Sequence, residues 1–282
     1  MKIVETGGLD VRVVSDGTCR LDAGGLFGLV PRVLYQRLHP PADDNTLPSA
    51  LNCLLVRSRG MTILVDTGMG DKLTPEDAQR TGIARPDGGL LQALAREGVA
   101  PDDVDVVINT HLHSDHCGGN TRREGDRIVA TYPRATYWVQ RMEWAEASQP
   151  DARTRGTYRA ENFAPLMAEG RVRLLHGDAE VTDQVRCVVT RGHTRAHQSL
   201  LLQAGDWSAL YAGDMASYAI HMANTAWLTA FDVEPLENIR TKEPWQRWAL
   251  ETGGWLIFEH DQKTPVARLV ERGGRLAAEP IG

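Results

Sequence analysis

The residues most capable of chemistry are histidines, and they are unevenly placed. Three of the nine fall in one six-residue run, His111-Leu112-His113-Ser114-Asp115-His116, directly after the apolar stretch VDVVINT. Histidines at i and i+2 at the end of a strand point the same way, so two imidazoles can chelate one cation. A tight turn would then bring Asp115 and His116 round to face a second cation, with Gly118 and Gly119 letting the chain turn sharply beside them. Nitrogen and oxygen donors without thiolate suit Zn²⁺, and also Mn²⁺, Fe²⁺ or Co²⁺. The plainer alternative is a loop of histidines bonded to backbone. Further along, His193 lies in RGHTRAH after the apolar CVVT, Asp214 ends LYAGDM and His260 ends WLIFEHD. Upstream, Asp66 closes ILVDTG in the same manner. Each sits at the carboxyl end of an apolar run, where strand tips converge on a site.

Those runs predict strands at 10–14, 51–58, 61–66, 103–109, 135–140, 171–175, 184–190, 198–203, 207–212 and 255–259. Helical patterns fill 88–97, 141–148 and 235–252, the last beginning at Pro235 and stopping at Gly253. A strand-rich mixture of this kind predicts sheets packed together and covered by helices. The segment 36–50, QRLHPPADDNTLPSA, reads as a long connection, either a lid or a passive surface loop.

Composition narrows the function classes. The 282 residues carry 31 Lys and Arg against 37 Asp and Glu, a net charge of -6, which argues against a dedicated nucleic-acid or anionic-membrane binder. No apolar run approaches the roughly 18 residues of a membrane span. The opening MKIVETGGLDVRVV lacks a basic segment followed by an apolar one, so no export signal is expected. The four cysteines are scattered without a CxxC pair, which fits a reducing cytoplasm better than a disulfide framework. Trp245 and Trp248 read as core, and Arg122, Arg123, Arg127 and Arg134 as a solvated basic face. Gly24-Gly25-Leu26-Phe27-Gly28 has neither ending nor spacing of a phosphate loop.

In order, VDTG at 65–68, HLHSDH at 111–116, GHTRAH at 192–197, GD at 213–214 and EHD at 259–261 resemble the motifs of metallo-β-lactamase-fold hydrolases. Within that superfamily HLHSDHCGGN, WVQRMEWAEA, DMASY and AFDVEP read most like the N-acyl-homoserine-lactone lactonases. The resemblance implies an α/β architecture, an αββα four-layer sandwich of two mixed β-sheets flanked by helices, as a single domain over 1–282 with an N-terminal extension of about 1–50 that shapes the pocket or a dimer contact. It implies two divalent ions, zinc foremost: His111, His113 and His193 on one, Asp115, His116 and His260 on the other, and Asp214 bridging them opposite a bridging hydroxide. Asp66 and His197 would orient ligand imidazoles. The implied reaction is opening of a lactone ring by that hydroxide, with Asp115 handling a proton and Tyr218 donating to the oxyanion. A phosphotriester or aryl-ester hydrolase is the alternative on the same site. A homodimer is implied by resemblance alone, and neither nucleic acid nor membrane is an expected partner.

The sequence also departs from the pattern. Arg195 and Ala196 replace the usual Pro-Gly, so the local loop shape is expected to differ while the ligands stay. Cys117 stands where a smaller residue is usual and reads as buried packing. Tyr218 lies four residues after Asp214, one more than the pattern leads one to expect, and His221 reads as a solvated helix histidine with a weaker claim on the same pocket.

Overall fold

The computed structural model describes residues 1–281, and alternation decides its layering. The first sheet is built from β1 (Lys2–Thr6), β2 (Leu9–Asp22), β3 (Thr46–Ser58), β4 (Met61–Val65) and β5 (Val106–Ile108). A separate hairpin follows, β6 (Thr121–Glu124) with β7 (Arg127–Ala130), before β8 (Thr136–Gln140) and β9 (Val172–Leu175) complete the first sheet in the order β1-β2-β3-β4-β5-β8-β9. The second sheet runs consecutively through β10 (Ala179–Thr182), β11 (Val185–Val189), β12 (Gln198–Ala204), β13 (Trp207–Tyr211), β14 (Trp255–Ile257), β15 (Val266–Arg272) and β16 (Arg275–Pro280).

Inward residues of both sheets form one core. Val11, Val56, Ile63, Val65 and Ile108 from the first meet Cys187, Leu200, Leu202, Tyr211 and Ile257 from the second. The helices are α1 (Ala23–Phe27), α2 (Arg32–Tyr35), α3 (Pro75–Thr81), α4 (Leu90–Arg96), α5 (Ser114–Cys117), α6 (Arg141–Ser148), α7 (Ala164–Ala168), α8 (Ala219–Ala223) and α9 (Pro235–Thr252). Outer faces are covered by helices: Leu90 and Leu94 of α4 and Leu166 of α7 pack on Leu55, Leu64 and Val107. On the other side Ala249 and Met222, with Trp245 and Trp248, pack on Leu210, Leu256 and Leu269. The result is helix, sheet, sheet, helix, the architecture the resemblance implied. No helix among the described residues is long and apolar enough to cross a membrane.

Direction matters more than order. β4 and β5 are parallel neighbours, and so are β13 and β14, so these four strands end on one edge of the sandwich. Open α/β sheets collect functional groups at such carboxyl ends. Two expectations change. The strand expected at 10–14 extends to Asp22, with its register shifting between Ser15 and Thr18 around Gly17 at φ +109°. The connection expected over 36–50 ends at Asn45, because Thr46 through Ala50 already pair with β2 as part of β3.

Candidate metal centre

Each ligand candidate leaves a strand tip on the shared edge. Asp66 follows β4, His111 and His113 follow β5, His193 follows β11, Asp214 follows β13 and His260 follows β14. Asp115 and His116 lie on the single turn α5, whose entry from His113 is extended, with ψ at 151°. The two glycines after that turn are required by proximity rather than by sharp bending. Gly118 has φ -58°, but a Cβ there would sit 2.5 Å from the carbonyl carbon of Met69. The chain after Asp66 and the chain after His116 thus touch backbone to backbone, with Thr67 N–H donating to His116 O at 2.7 Å.

The structure brings the seven side chains together. Asp214 Oδ2 lies 3.2 Å from His193 Nε2 and 3.4 Å from His116 Nε2, and its Oδ1 lies 3.3 Å from His260 Nε2. Asp115 Oδ2 is 3.7 Å from His260 Nε2 and 3.9 Å from His116 Nε2. Donor atoms of His111, His113 and His193 form one group within 4.8 Å of one another, and those of Asp115, His116 and His260 form a second. Asp214 sits between the groups, and all but Asp115 are buried.

The outward contacts fix which nitrogen faces inward. His111 Nδ1 is 3.0 Å from the Thr110 hydroxyl, which donates to Asp66 at 2.7 Å. His193 Nδ1 donates to Asp232 Oδ1 at 2.9 Å, and His260 Nδ1 to the Ala50 carbonyl at 2.8 Å. In each ring the outward N–H leaves the Nε2 lone pair aimed at the cluster. Without a cation this is an unfavourable arrangement. His193 Nε2 and His113 Nδ1 lie 3.1 Å apart, and His260 Nε2 and His116 Nε2 lie 3.3 Å apart. His111 Nε2, His113 Nε2 and Asp214 Oδ1 are buried with no hydrogen-bond partner among the described residues. Orphaned, converging nitrogen and oxygen donors of this kind fit divalent ions.

Electrostatics divide the cluster in two. Burial, with neighbouring imidazoles, holds His111 and His113 well below the usual histidine range, so their lone pairs are free. Around Asp214 burial is outweighed: its carboxylate raises His193 and, to about 9, His260, with His116 raised as well by Glu259, Asp115 and Asp214. These three pull the Asp214 carboxyl well below the carboxylate norm, so without an ion protons sit where a cation would. The cluster opens into a cavity of about 180 Å³ reached by His113, Asp115 and His260, with Leu21, Leu26 and Phe231 on its apolar wall.

Three expectations are corrected. His197 orients no ligand imidazole: its Nδ1 lies 2.8 Å from the Thr190 hydroxyl, and its Nε2 accepts from Asp214 N–H at 3.0 Å. Burial lowers it to about 3, which keeps Nε2 an acceptor. His221, read as solvated, is buried against Phe27 and Tyr218 at 5.7 Å between ring centroids. Tyr218 does not line the cavity; its hydroxyl lies 3.0 Å from Ser49 Oγ and donates toward β3. Ser217, three residues after Asp214, lines the cavity instead. Cys117 is fully buried with its thiol 3.2 Å from Leu112 O, and Arg195 spans Glu146 and Glu234 at 2.9 and 3.2 Å.

Sequence reading missed the groups behind the cluster. Asp232, within AFDVEP, backs His193 and is itself held by Asn238 and Thr229 at 2.7 and 2.8 Å. Glu143 is buried and accepts from Leu112 N–H, Tyr158 OH and Thr194 Oγ at 2.9, 3.0 and 2.6 Å, tying two ligand loops together. Glu259 reaches His116 Nδ1 at 2.9 Å. The only signal for any of them was an acidic residue inside a lactonase-like stretch.

Comparison with known proteins agrees with the architecture. The family model for the metallo-beta-lactamase superfamily matches residues 47–251. The N-acyl homoserine lactonase AiiA of Bacillus thuringiensis subsp. kurstaki is 29% identical over 175 residues, covering 59% of this chain and 63% of that protein. The lactonase AttM of Azorhizobium caulinodans is 27% identical over 187 residues, covering 64% and 66%. The chain therefore spans a little under two thirds of these relatives. Among solved structures, a probable metal-dependent hydrolase from Staphylococcus aureus superposes with a TM-score of 0.89 at 24% identity, covering 99% of both chains. AidC, a dizinc quorum-quenching lactonase in complex with a product, superposes at 0.80 with 17% identity, covering 100% of this chain and 97% of that one. With a family model spanning most of its length and the family's sandwich in three dimensions, this chain belongs to the metallo-beta-lactamase superfamily.

Proposed function

We propose that this protein is a metal-dependent hydrolase that opens a lactone ring, an N-acyl-homoserine lactone or a near relative, and so serves in quorum quenching. The observation that carries the reading is the convergence of seven donor side chains at the mouth of a cavity with one apolar wall. We assign His111, His113 and His193 to one divalent ion, Asp115, His116 and His260 to another, and Asp214 to both, with zinc the first choice for this donor set. Two such ions would supply Lewis acidity for the scissile carbonyl and a water acidified toward neutral pH.

The chain's own groups do the rest. Asp115, with its side chain 23% exposed, lines the cavity, which supports its taking a proton after attack. Ser217 lines the same cavity. Leu21, Leu26, Met69, Leu73 and Phe231 offer an acyl chain a surface to bury. Leu21 and Leu26 belong to the first 50 residues, which supports one domain whose N-terminal extension shapes the pocket. We also propose a homodimer. A cytoplasmic site is supported by four buried cysteines that form no disulfide.

Elemental analysis of the purified protein, followed by assay of an acyl-homoserine lactone series beside paraoxon and p-nitrophenyl acetate, tests the proposal. Two ions per chain with lactone turnover far above the others is the expected result. Preference for the phosphotriester or aryl ester would move the substrate to the alternative class on the same site. A lactone panel left intact by both the native protein and His113→Ala would reject lactone hydrolysis.

A further inference from the structure

α6 buries two of its eight residues, Glu143 and Ala147. An apolar side chain would suit the first position, because Leu112 and Tyr158 beside it belong to an apolar cluster. A fully buried carboxylate stands there instead. Its three hydrogen-bond partners among the described residues are neutral donors: Oε1 accepts from Leu112 N–H at 2.9 Å and from the Tyr158 hydroxyl at 3.0 Å, and Oε2 from the Thr194 hydroxyl at 2.6 Å. Burial raises this carboxyl, and the three bonds lower it again. A buried polar group that is fully engaged in this way makes the segments it joins rigid. Here those segments carry metal-ligand candidates. Leu112 lies between His111 and His113 beyond the tip of β5, and Thr194 follows His193 beyond the tip of β11, a strand of the other sheet. The imidazoles delivered from the two sheets must meet closely, with His193 Nε2 and His113 Nδ1 3.1 Å apart. The third donor, Tyr158, ties in the cavity loop, where the Thr157 carbonyl accepts from Ser114 N–H at 2.9 Å and from its hydroxyl at 2.8 Å.

We infer that Glu143 is a positioning residue for the ion assigned to His111, His113 and His193: by fixing Leu112 against Thr194 it sets the spacing of ligands that come from separate sheets. It acts through the chain neighbours of those histidines rather than through the imidazoles, so it contributes geometry and not ligand basicity. The inference rests on the proposed assignment of these three histidines to one ion, but not on the substrate.

The test is metal affinity rather than turnover. Apo protein is titrated with Co²⁺ against a competing chelator, following the visible absorption of each bound ion, and His193→Ala identifies the band of the ion in question. Groups that orient metal ligands change affinity by about 10–100-fold when mutated. Glu143→Ala is expected to weaken that ion by at least about tenfold and shift its band, while the other ion binds as in native protein. Glu143→Gln should keep most of the affinity, because the amide oxygen can accept from Leu112 and Tyr158 while the amide nitrogen donates to the Thr194 hydroxyl. Thr194→Val, a milder change should Glu143→Ala fail to fold, releases one carboxylate oxygen and should reproduce part of the loss. Tyr158→Phe keeps the ring 5.0 Å from that of His113 and releases neither ligand segment, so both affinities should stay native. Native affinities in Glu143→Ala or in Thr194→Val would overturn the inference. So would equal weakening of both ions with a lower apo melting temperature, the mark of a merely structural carboxylate, or a Glu143→Gln protein as weak as Glu143→Ala. A native chain that binds fewer than two ions would reject the ligand assignment and the inference with it. The expected loss in a chain whose native form opens no lactone would keep this inference and reject the proposed reaction.

Discussion

Gly118→Ala tests the way the metal centre is held in shape. The glycine has helical dihedrals, so conformational freedom gives no reason for it; the close passage of Met69 does. A Cβ at 118 would lie 2.5 Å from the Met69 carbonyl carbon and 2.8 Å from its Cα, where ordinary contact begins at 3.4 Å. The Met69 carbonyl oxygen would lie closer still, so the two segments would have to part by more than 0.9 Å (3.4 less 2.5), and both are backbone, so neither can rotate away. Overpacking of this kind costs about 1–3 kcal/mol, and a backbone-on-backbone clash belongs at the upper end. At about 2 °C per kcal/mol for a chain of this size, the apo protein should melt roughly 6 °C lower. The same movement draws Asp115 and His116 away from Asp66 and Asp214, and misplacement on the order of 1 Å can cost about 100-fold in rate. Scanning calorimetry of the apo protein and metal content after dialysis are the measurements. Gly156→Ala, where a Cβ meets nothing within 4 Å, is the control for stability and metal content. A Gly118→Ala protein that melts within about 1 °C of native and keeps both ions would refute the close-approach argument.

Tyr218→Phe removes a hydroxyl engaged with Ser49 and Pro48 at 3.0 and 3.3 Å, away from the cavity. It should cost about 1 kcal/mol of stability and leave kcat within a few-fold; a loss of about 100-fold in kcat would put the hydroxyl on the substrate after all. Lys242 is buried with its ammonium on the His221 and Trp227 carbonyls at 3.2 and 2.7 Å, and burial lowers it from 10.5 to about 8. Between those values the unfolded chain holds a proton that the folded chain has released, so stability contributed at this site rises with pH, by about 3 kcal/mol in full. Urea unfolding of native protein and Lys242→Met at pH 7.5, 9 and 10 should show the native protein gaining on the variant, and a constant gap would contradict the burial argument. Cys19, Cys53, Cys117 and Cys187 are all buried, and burial raises each thiol. A thiol reagent should therefore label fewer than one per chain in native protein and four in urea; rapid labelling of the native state would show the sheets opening.

The metal-ligand candidates were legible because imidazole and carboxylate at strand tips are chemically conspicuous. HLHSDH carries four donors in six residues, and His193, Asp214 and His260 each end an apolar run. The supporting groups were not. Asp232 and Glu143 are acidic residues in ordinary helical or loop surroundings, and only packing turns them toward His193 and Thr194. His221 has the look of an exposed helix residue until α8 is laid against Phe27 and Tyr218. The strand at 10–14 was underestimated because Gly17 interrupts the alternation that marks it, although β3 continues to pair beyond the bulge.

By itself the sequence determined the donor set, the alternating inward faces of most strands and the helices that cover them, since these depend on residue type and on periods of 2 and 3.6 along the chain. Tertiary structure decided where the donors meet. Parallel pairing of β4 with β5 and of β13 with β14 brings Asp66, His111, Asp214 and His260 to one edge. It also brings together groups that local pattern does not relate: Asp66 and Glu259, 193 positions apart (259 less 66), lie 3.2 and 2.9 Å from the same His116 nitrogen.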